Sequence, residues 1–186
     1  MASDVLVDSC SYFRLARSIH PLLKTKFCEE EYSLGVIPEL NEEYKRSPTL
    51  KHKFHWVDQK EYQENRKRCF SLKADKKAEI NNAFYYIRET AREEGFGVSR
   101  IDLIALSYSH VLGIPIVTDD SDMLLLAKEY EIITFTSLQL LKLLLDCGVV
   151  TIKRVRTIAS YWAYLNDTPK SYKKEYKHLF NENAPS

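Results

Sequence analysis

The chain is predicted to be an α/β protein with three layers, α/β/α, built around a central parallel sheet. A short apolar run that stops at an acid, as in Val5-Leu6-Val7 before Asp8, is typical of a buried parallel strand. From Ser99 onward such runs alternate with apolar stripes at helical spacing, and this order favours right-handed strand–helix–strand crossovers. With 186 residues, 45% of them hydrophobic, the chain can bury a sizeable core.

Periodicity and helix-stop residues assign the remaining elements. Strands are predicted over residues 5–7, 114–117 and 132–134, and helices over 9–23, 76–94, 99–112, 123–130 and 137–145. A further helix is predicted to start at Pro38, because proline suits a first helical turn and acids follow it. Residues 36–38 are read either as the end of a second strand or as a loop.

Two basic segments flank an acidic body. Residues 51–77 hold nine Lys and Arg against four Asp and Glu, and residues 150–186 hold seven against three. We expect one domain over residues 1–148, with a basic helical insertion over about 48–77. Residues 149–186 are predicted to form a C-terminal helical extension packed on that domain, with two helices split near 167–169. The basic charge is either solvated surface or a rim that holds phosphates beside an acidic centre.

Composition also excludes several classes of protein. No stretch approaches the roughly 20 apolar residues that span a bilayer, and the acidic N-terminus does not favour a secretory signal. The widely spaced cysteines form no C-x-x-C pair, so we interpret them as reduced thiols of a cytoplasmic protein, without a zinc site or a disulfide framework. These cysteines are Cys10, Cys28, Cys69 and Cys147.

Acids follow two predicted strands and open one predicted helix. Asp8 follows the first strand, Asp120 and Asp122 follow a later one, and Asp102 lies in the first turn of the helix between them. Active sites of parallel sheets lie beyond the carboxyl ends of their strands, so these acids are expected to meet there. Oxygen-only ligands favour Mg²⁺ or Mn²⁺. Each acid also has a simpler interpretation as a helix cap, with Ser99 and Asp102 forming a variant capping box.

The same residues resemble the motifs of the PIN-domain nucleases, including the toxin-like VapC-type members. Val5-Leu6-Val7-Asp8-Ser9 is similar to the opening strand of that family, and Asp102 with its apolar and small successors is similar to its helical acid. Residues 116–123 resemble the closing motif, an apolar strand followed by T-x-D-x-D. The register of that motif selects Asp120 over Asp119. The resemblance extends over roughly residues 5–145.

The resemblance implies a hydrolase that needs Mg²⁺ or Mn²⁺ and cuts phosphodiesters. Asp8, Asp102, Asp120 and Asp122 would be metal ligands, and a glutamate on an early helix would join them as a catalytic residue. Glu39, Glu42 and Glu43 are the candidates for that glutamate, and Glu43 is chosen by helical position. Ser9 and Thr118 are expected to support the ligands through hydrogen bonds, although a cap or turn role is an equal alternative.

The basic insertion is expected to contact the substrate, with RNA favoured over DNA. Its predicted phosphate contacts are Lys51, Lys53, Arg66, Lys67 and Arg68. Phe54 or Trp56 could stack on unpaired bases, but aromatic residues of a structured insertion more often belong to the core. An antitoxin partner and a homodimer are consistent with the resemblance, whereas a membrane is not expected.

Other functions remain as alternatives. A haloacid-dehalogenase-type phosphatase needs a second aspartate two residues after the first, where this chain has Cys10. A receiver domain needs an acidic pair and a late lysine that are not found in this arrangement. A nuclease of RNA maturation or turnover, and a catalytically inactive PIN-fold module that binds nucleic acid or protein, are the remaining candidates.

Overall fold

The central sheet has four parallel strands in the part of the chain that the structure describes. The structure is a computed structural model that describes residues 4–19, 25–67, 70 and 72–186. The strands are β1 (Asp4–Val7), β2 (Ser33–Gly35), β3 (Ile116–Val117) and β4 (Thr134–Phe135). Their order is β2-β1-β3-β4, with Leu6 opposite both Gly35 and Ile116. The first strand therefore lies inside the sheet, and its carboxyl end lies beside that of β3.

Helices cover both faces of the sheet. Their bounds are α1 (Ser9–Ile19), α2 (Glu39–Arg46), α3 (Pro48–Lys53), α4 (Lys60–Arg66), α5 (Ala74–Glu93), α6 (Arg100–Leu112), α7 (Ser121–Glu129), α8 (Ser137–Asp146), α9 (Ile152–Tyr164) and α10 (Tyr172–Phe180). Successive strand residues point to opposite faces. Val5 and Val7 accordingly pack with α1, α8, α9 and α10, whereas Leu6 packs with α5, α6 and α7. This arrangement confirms the predicted α/β/α class.

The C-terminal helices share a core with the first strand. Val155, Trp162 and Tyr176 are buried in the same apolar cluster as Val5 and Val7. Trp162 is among the largest fully buried side chains of the described residues. The prediction of two helices after residue 149 is confirmed, and their removal would expose one face of the sheet.

The second strand lies earlier than the sequence indicated. The sequence predicts either a strand end or a loop over residues 36–38, but the strand is Ser33–Gly35, with Leu34 paired to Val5. Val36 and Ile37 follow it and are buried among side chains of the core. Their apolar character therefore marks burial after the strand ends.

The interpretation of the cysteines as reduced thiols was wrong for Cys28 and Cys147, and Cys69 lies outside the described residues. Cys28 and Cys147 form a disulfide, with Cα atoms 5.1 Å apart and a sequence separation of 119. Their neighbours Phe27 and Leu144 are buried in one apolar cluster, which brings the two cysteines together. Cys10 is free within the described part of the chain. None of the helices described there is both long and apolar enough to cross a bilayer.

Candidate active site

Asp8 lies at the carboxyl end of β1 and starts α1. Its amide donates to the Val117 carbonyl at 3.1 Å, which fixes the end of β1 against β3. Its Oδ1 accepts from the Ser11 amide at 2.6 Å, so the predicted helix cap is present. The carboxyl group is 2% exposed, and burial raises its pKa to about 7, against hydrogen bonds from Thr118 and Ser11. The fold therefore holds a carboxyl group in a position that disfavours its charge.

Asp120 follows β3 and caps α7. Its Oδ1 accepts from the amides of Asp122 and Met123, each at 2.9 Å. Its own amide donates to the Thr118 hydroxyl at 3.2 Å. Thr118 is thus hydrogen-bonded to both Asp8 and the Asp120 backbone, as expected of a residue that supports the two acids. The side chain of Asp120 is exposed, so one of its oxygens remains available to a ligand.

Asp102 caps α6 from within its first turn. The predicted capping box with Ser99 is present: the Ser99 amide donates to Oδ2 of Asp102 at 3.2 Å, and the Asp102 amide donates to the Ser99 hydroxyl at 3.3 Å. Burial raises the pKa of Asp102, the hydrogen bonds from Ser99 lower it, and the charge of Asp120 raises it again. The charge of Asp102 in turn raises the pKa of Asp8. The charge of Asp120 thus acts on Asp102, and the charge of Asp102 acts on Asp8. We call these three acids the electrostatic cluster.

The glutamate candidates on α2 differ in their surroundings. Glu42 is exposed and pairs with Arg46 at 3.0 Å. Glu39 and Glu43 are half-buried, and each has a buried Oε2 without a hydrogen-bond partner in the described part of the chain. An unpaired buried oxygen is costly, which makes both better ligand candidates than Glu42.

The pKa of the Cys10 thiol depends on the charges of nearby acids, including one glutamate of α2. Desolvation by the surrounding protein, then the charges of Asp8, Asp102 and Glu43, raise the pKa of this thiol to about 12. The thiol nevertheless reaches the surface. The charge of Glu43 therefore acts on the same thiol as the charges of Asp8 and Asp102.

Asp122 connects α7 to the loop before α6. Its Oδ2 accepts from the Gly97 amide at 2.7 Å, and a Cβ built on Gly97 would lie 3.3 Å from that oxygen. Gly97 lies two residues before the capping Ser99, so Asp122 holds the segment that leads to Asp102. In this arrangement Asp122 orients the neighbouring loop with one oxygen.

Asp119 is engaged in structural contacts on both carboxyl oxygens. Oδ1 accepts from the Ser137 amide at 2.9 Å, and Oδ2 accepts from the Ser137 hydroxyl and from Arg14. Arg14 also donates to the Asp167 carbonyl at 2.9 Å and lies over the Trp162 ring. Sequence reasoning missed Arg14 and Ser137, because only the tertiary fold brings residues this far apart in sequence to Asp119.

The predicted phosphate contacts divide into buried and exposed side chains. Arg66 is 4% exposed and donates to Asn41, Tyr12 and the Val57 carbonyl, so its assignment as a phosphate contact is corrected to a structural role. Lys51 and Lys67 are exposed, and Lys53 is exposed but pairs with Asp167 at 3.5 Å. Arg68 lies outside the described residues.

The aromatic residues of the insertion belong to the core. Phe54 stacks on Phe13 with ring centroids 4.9 Å apart, and Trp56 packs edge-on against Tyr62 at 4.7 Å. Phe54, Trp56 and Tyr62 are all buried. The core alternative for Phe54 and Trp56 is therefore confirmed, and neither ring is free to stack on a base.

The donor set fits a hard divalent cation in its chemistry. It consists of carboxylate oxygens, and it includes an unpartnered glutamate oxygen and an aspartate whose charge is disfavoured. With the side chains as they stand, however, no three His, Cys, Asp or Glu residues within the described ranges form a group that could hold one ion. Cation binding at this edge would therefore require side-chain adjustment. Ser9, also expected to support the site, is buried, and its hydroxyl has no partner in the described part of the chain.

Comparisons with known proteins give one distant likeness to report. No protein-family model and no curated protein matches the chain. Among solved structures, the chain is similar to the crystal structure of FitAcB from Neisseria gonorrhoeae, with a TM-score of 0.48 and 11% sequence identity. The match covers 72% of this chain and 98% of that chain. So distant a likeness carries no argument, and the α/β/α class rests on the observed sheet and its two helical layers.

Proposed function

We propose that this chain is a PIN-type endoribonuclease that needs Mg²⁺ or Mn²⁺. The observation that supports the proposal is the electrostatic cluster of Asp8, Asp102 and Asp120 at the carboxyl edge of a parallel sheet. Helix capping accounts for one oxygen of each acid, but it does not require three caps to meet at one edge. A shared cation would relieve the repulsion among them.

The proposed ligands are Asp8, Asp102 and Asp120, with Glu43 and Asp122 completing or orienting the site. When bound, a divalent cation supplies Lewis-acid activation of water and neutralises phosphate charge. The residues of the chain hold the ligands in place: Ser11 and Thr118 fix Asp8, and Ser99 fixes Asp102. Side chains fixed by such hydrogen bonds lose little freedom when a ligand binds.

The test is a cleavage assay with labelled single-stranded RNA and DNA, with Mg²⁺, Mn²⁺ or a chelator. We expect Asp8→Asn and Asp120→Asn each to lower the cleavage rate by about 100-fold or more, because each removes a charge from the proposed cation site. Glu42→Gln is the matched control, since Glu42 lies on α2 beside Glu43 but faces Arg46 and solvent. Cleavage that survives both aspartate substitutions would reject the catalytic assignment.

Glu43→Gln tests the choice of glutamate. We expect it to impair cleavage more than Glu42→Gln and Glu39→Gln, because Glu43 shares the electrostatic surroundings of Asp8 and Asp102. A crystal structure soaked in Mn²⁺ would identify the ligands directly. An ion bound between Glu39 and solvent, away from Asp8, would contradict the proposed ligand set.

The biological role proposed from the family resemblance is that of a toxin held inactive by an antitoxin protein. Expression in a bacterial host tests it, because a ribonuclease toxin arrests growth and Asp120→Asn should relieve the arrest. If wild type and Asp120→Asn have the same effect on growth, the toxin role is rejected. The cleavage assay then decides between a nuclease of RNA maturation or turnover, which cuts RNA, and a binding module, which does not.

A further inference from the structure

A large groove opens on the surface between α2 and α6. It encloses about 810 Å³ between α2, the end of α4, α5 and α6, and its floor includes the buried residues Ile80, Ile104 and Tyr108. A second groove of about 630 Å³ is lined by Glu43. Glu39 and Arg100 line both grooves. The two grooves therefore adjoin each other, and Glu43, one of the proposed catalytic residues, lines the second of them.

The walls of the large groove carry unneutralised positive charge. Lys67, Lys77 and Arg100 are exposed, and none of them has an ion-pair partner within 4 Å in the described part of the chain. By contrast Lys76, the neighbour of Lys77, pairs with Glu79 at 2.5 Å and does not line the groove. Three such cations along one groove suit a ligand with repeated negative charges.

An aromatic ring lies open on the same wall. Tyr85 lines the groove and is 57% exposed, and the Arg88 guanidinium lies 5.3 Å from its ring centroid. Tyr86, the next residue, is 72% exposed but does not line the groove. An exposed ring beside lysine and arginine is the combination with which proteins bind single strands, because every unpaired base has a face that can stack.

Glu39 adds a hydrogen-bond acceptor to this wall. Its buried Oε2 has no partner in the described part of the chain, so a ligand that donates a hydrogen bond there would relieve a real cost. Base amino groups and ribose hydroxyls are such donors. The carboxylate side chains of an acidic peptide are not such donors, which favours nucleotides as the occupant.

We propose that the large groove is a binding surface for the unpaired nucleotides that flank the cleaved phosphate. Lys67, Lys77 and Arg100 contact phosphates, Tyr85 stacks on a base, and Glu39 accepts from a base or a ribose. This inference rests on the proposed nuclease function, because that function supplies the substrate class. It places Tyr85 of α5 and Arg100 of α6 beside Lys67 and Lys77, so the proposed surface extends beyond the insertion that the sequence pattern had indicated.

Binding is measured separately from cleavage. Fluorescence anisotropy follows a labelled single-stranded RNA of about 12 nucleotides binding to the Asp120→Asn variant in chelator, so that no strand is cut. We expect Tyr85→Ala to weaken binding about five- to one-hundred-fold and Tyr86→Ala to leave it nearly unchanged. Lys77→Gln should weaken binding and reduce the dependence of log K on log salt by about 0.7, whereas Lys76→Gln should not. Because Tyr85 and Lys77 are exposed, these variants should unfold at the temperature of the parent.

The outcomes separate the groove from the nuclease function. Equal binding by Tyr85→Ala and Tyr86→Ala overturns the groove assignment, even if wild type cleaves RNA. Selective loss of binding in Tyr85→Ala upholds the groove, even if wild type proves inactive in every cleavage assay. Displacement of the RNA by an equal concentration of a polyglutamate peptide would overturn the choice of nucleotides, and tighter binding of duplex than of single strands would overturn the choice of unpaired strands.

Discussion

Replacing Asp8 by asparagine should stabilise the protein at the same time as it lowers the cleavage rate. Burial raises the pKa of Asp8 from 3.8 to about 7, so the folded state binds its proton more tightly than the unfolded state. Such a group stabilises the fold below the unfolded pKa, and this contribution is lost as pH rises through the folded pKa. A shift of about three units corresponds to roughly 4 kcal/mol in the free energy of unfolding.

Asparagine removes this titration and keeps the helix cap. Its side-chain oxygen can accept from the Ser11 amide as Asp8 does, and asparagine caps helices as well as aspartate. In urea unfolding with chelator, the free energy of unfolding of Asp8→Asn minus that of wild type should therefore increase by about 2–3 kcal/mol between about pH 5 and pH 8. Added Mg²⁺ should stabilise wild type and leave Asp8→Asn unchanged, because a ligand stabilises only the form that binds it.

The control for this experiment is Glu42→Gln, which removes an exposed acid paired with Arg46. Its stability should differ from wild type by less than about 1 kcal/mol at every pH, as is usual for surface pairs. A difference between Asp8→Asn and wild type that stays constant or shrinks as pH rises would refute the reasoning, because burial would then not disfavour the Asp8 charge.

Three further substitutions test the supports of the site. Arg14→Met should lower the free energy of unfolding by about 3–5 kcal/mol, because it leaves buried Asp119 without its cation; a urea midpoint equal to wild type would contradict that role. Joint replacement of Cys28 and Cys147 by serine should cost about 2–5 kcal/mol and make stability insensitive to reductant, and continued sensitivity would argue against the disulfide. Ser99→Ala should cost about 1 kcal/mol by urea unfolding, and no loss would exclude a stabilising capping box.

Local sequence patterns predicted the features that depend on neighbouring residues. Apolar runs ending in Asp8 and Asp120 located two strand ends, and Ser99 with Asp102 located a helix start, because strands and caps are recognisable within a few residues. The register of the T-x-D-x-D motif, taken from the family resemblance, selected Asp120 over Asp119, and the structure gives Asp119 structural partners on both oxygens. Whether these acids bind metal stays a prediction.

Features that depend on long-range contacts could not be read in this way. Arg66 looked like a surface cation within a basic segment, but it is buried and donates to the Tyr12 hydroxyl and to the Val57 carbonyl. Cys28 and Cys147 looked unrelated because their sequence separation is 119. In both cases the property belongs to the tertiary arrangement, and neither flanking residues nor spacing carry a signal of it.

The disulfide also places the proposed site residues in two topologically different parts of the chain. Residues 28–147 form a closed ring that contains β2, β3, Glu43, Asp102 and Asp120, whereas Asp8 belongs to the segment outside the ring. The strand β1 lies between two strands of that ring, and hydrogen bonds and packing hold it there. The site is therefore a natural candidate for a split protein, in which a synthetic peptide carrying β1 and α1 restores Asp8 to a ring prepared separately.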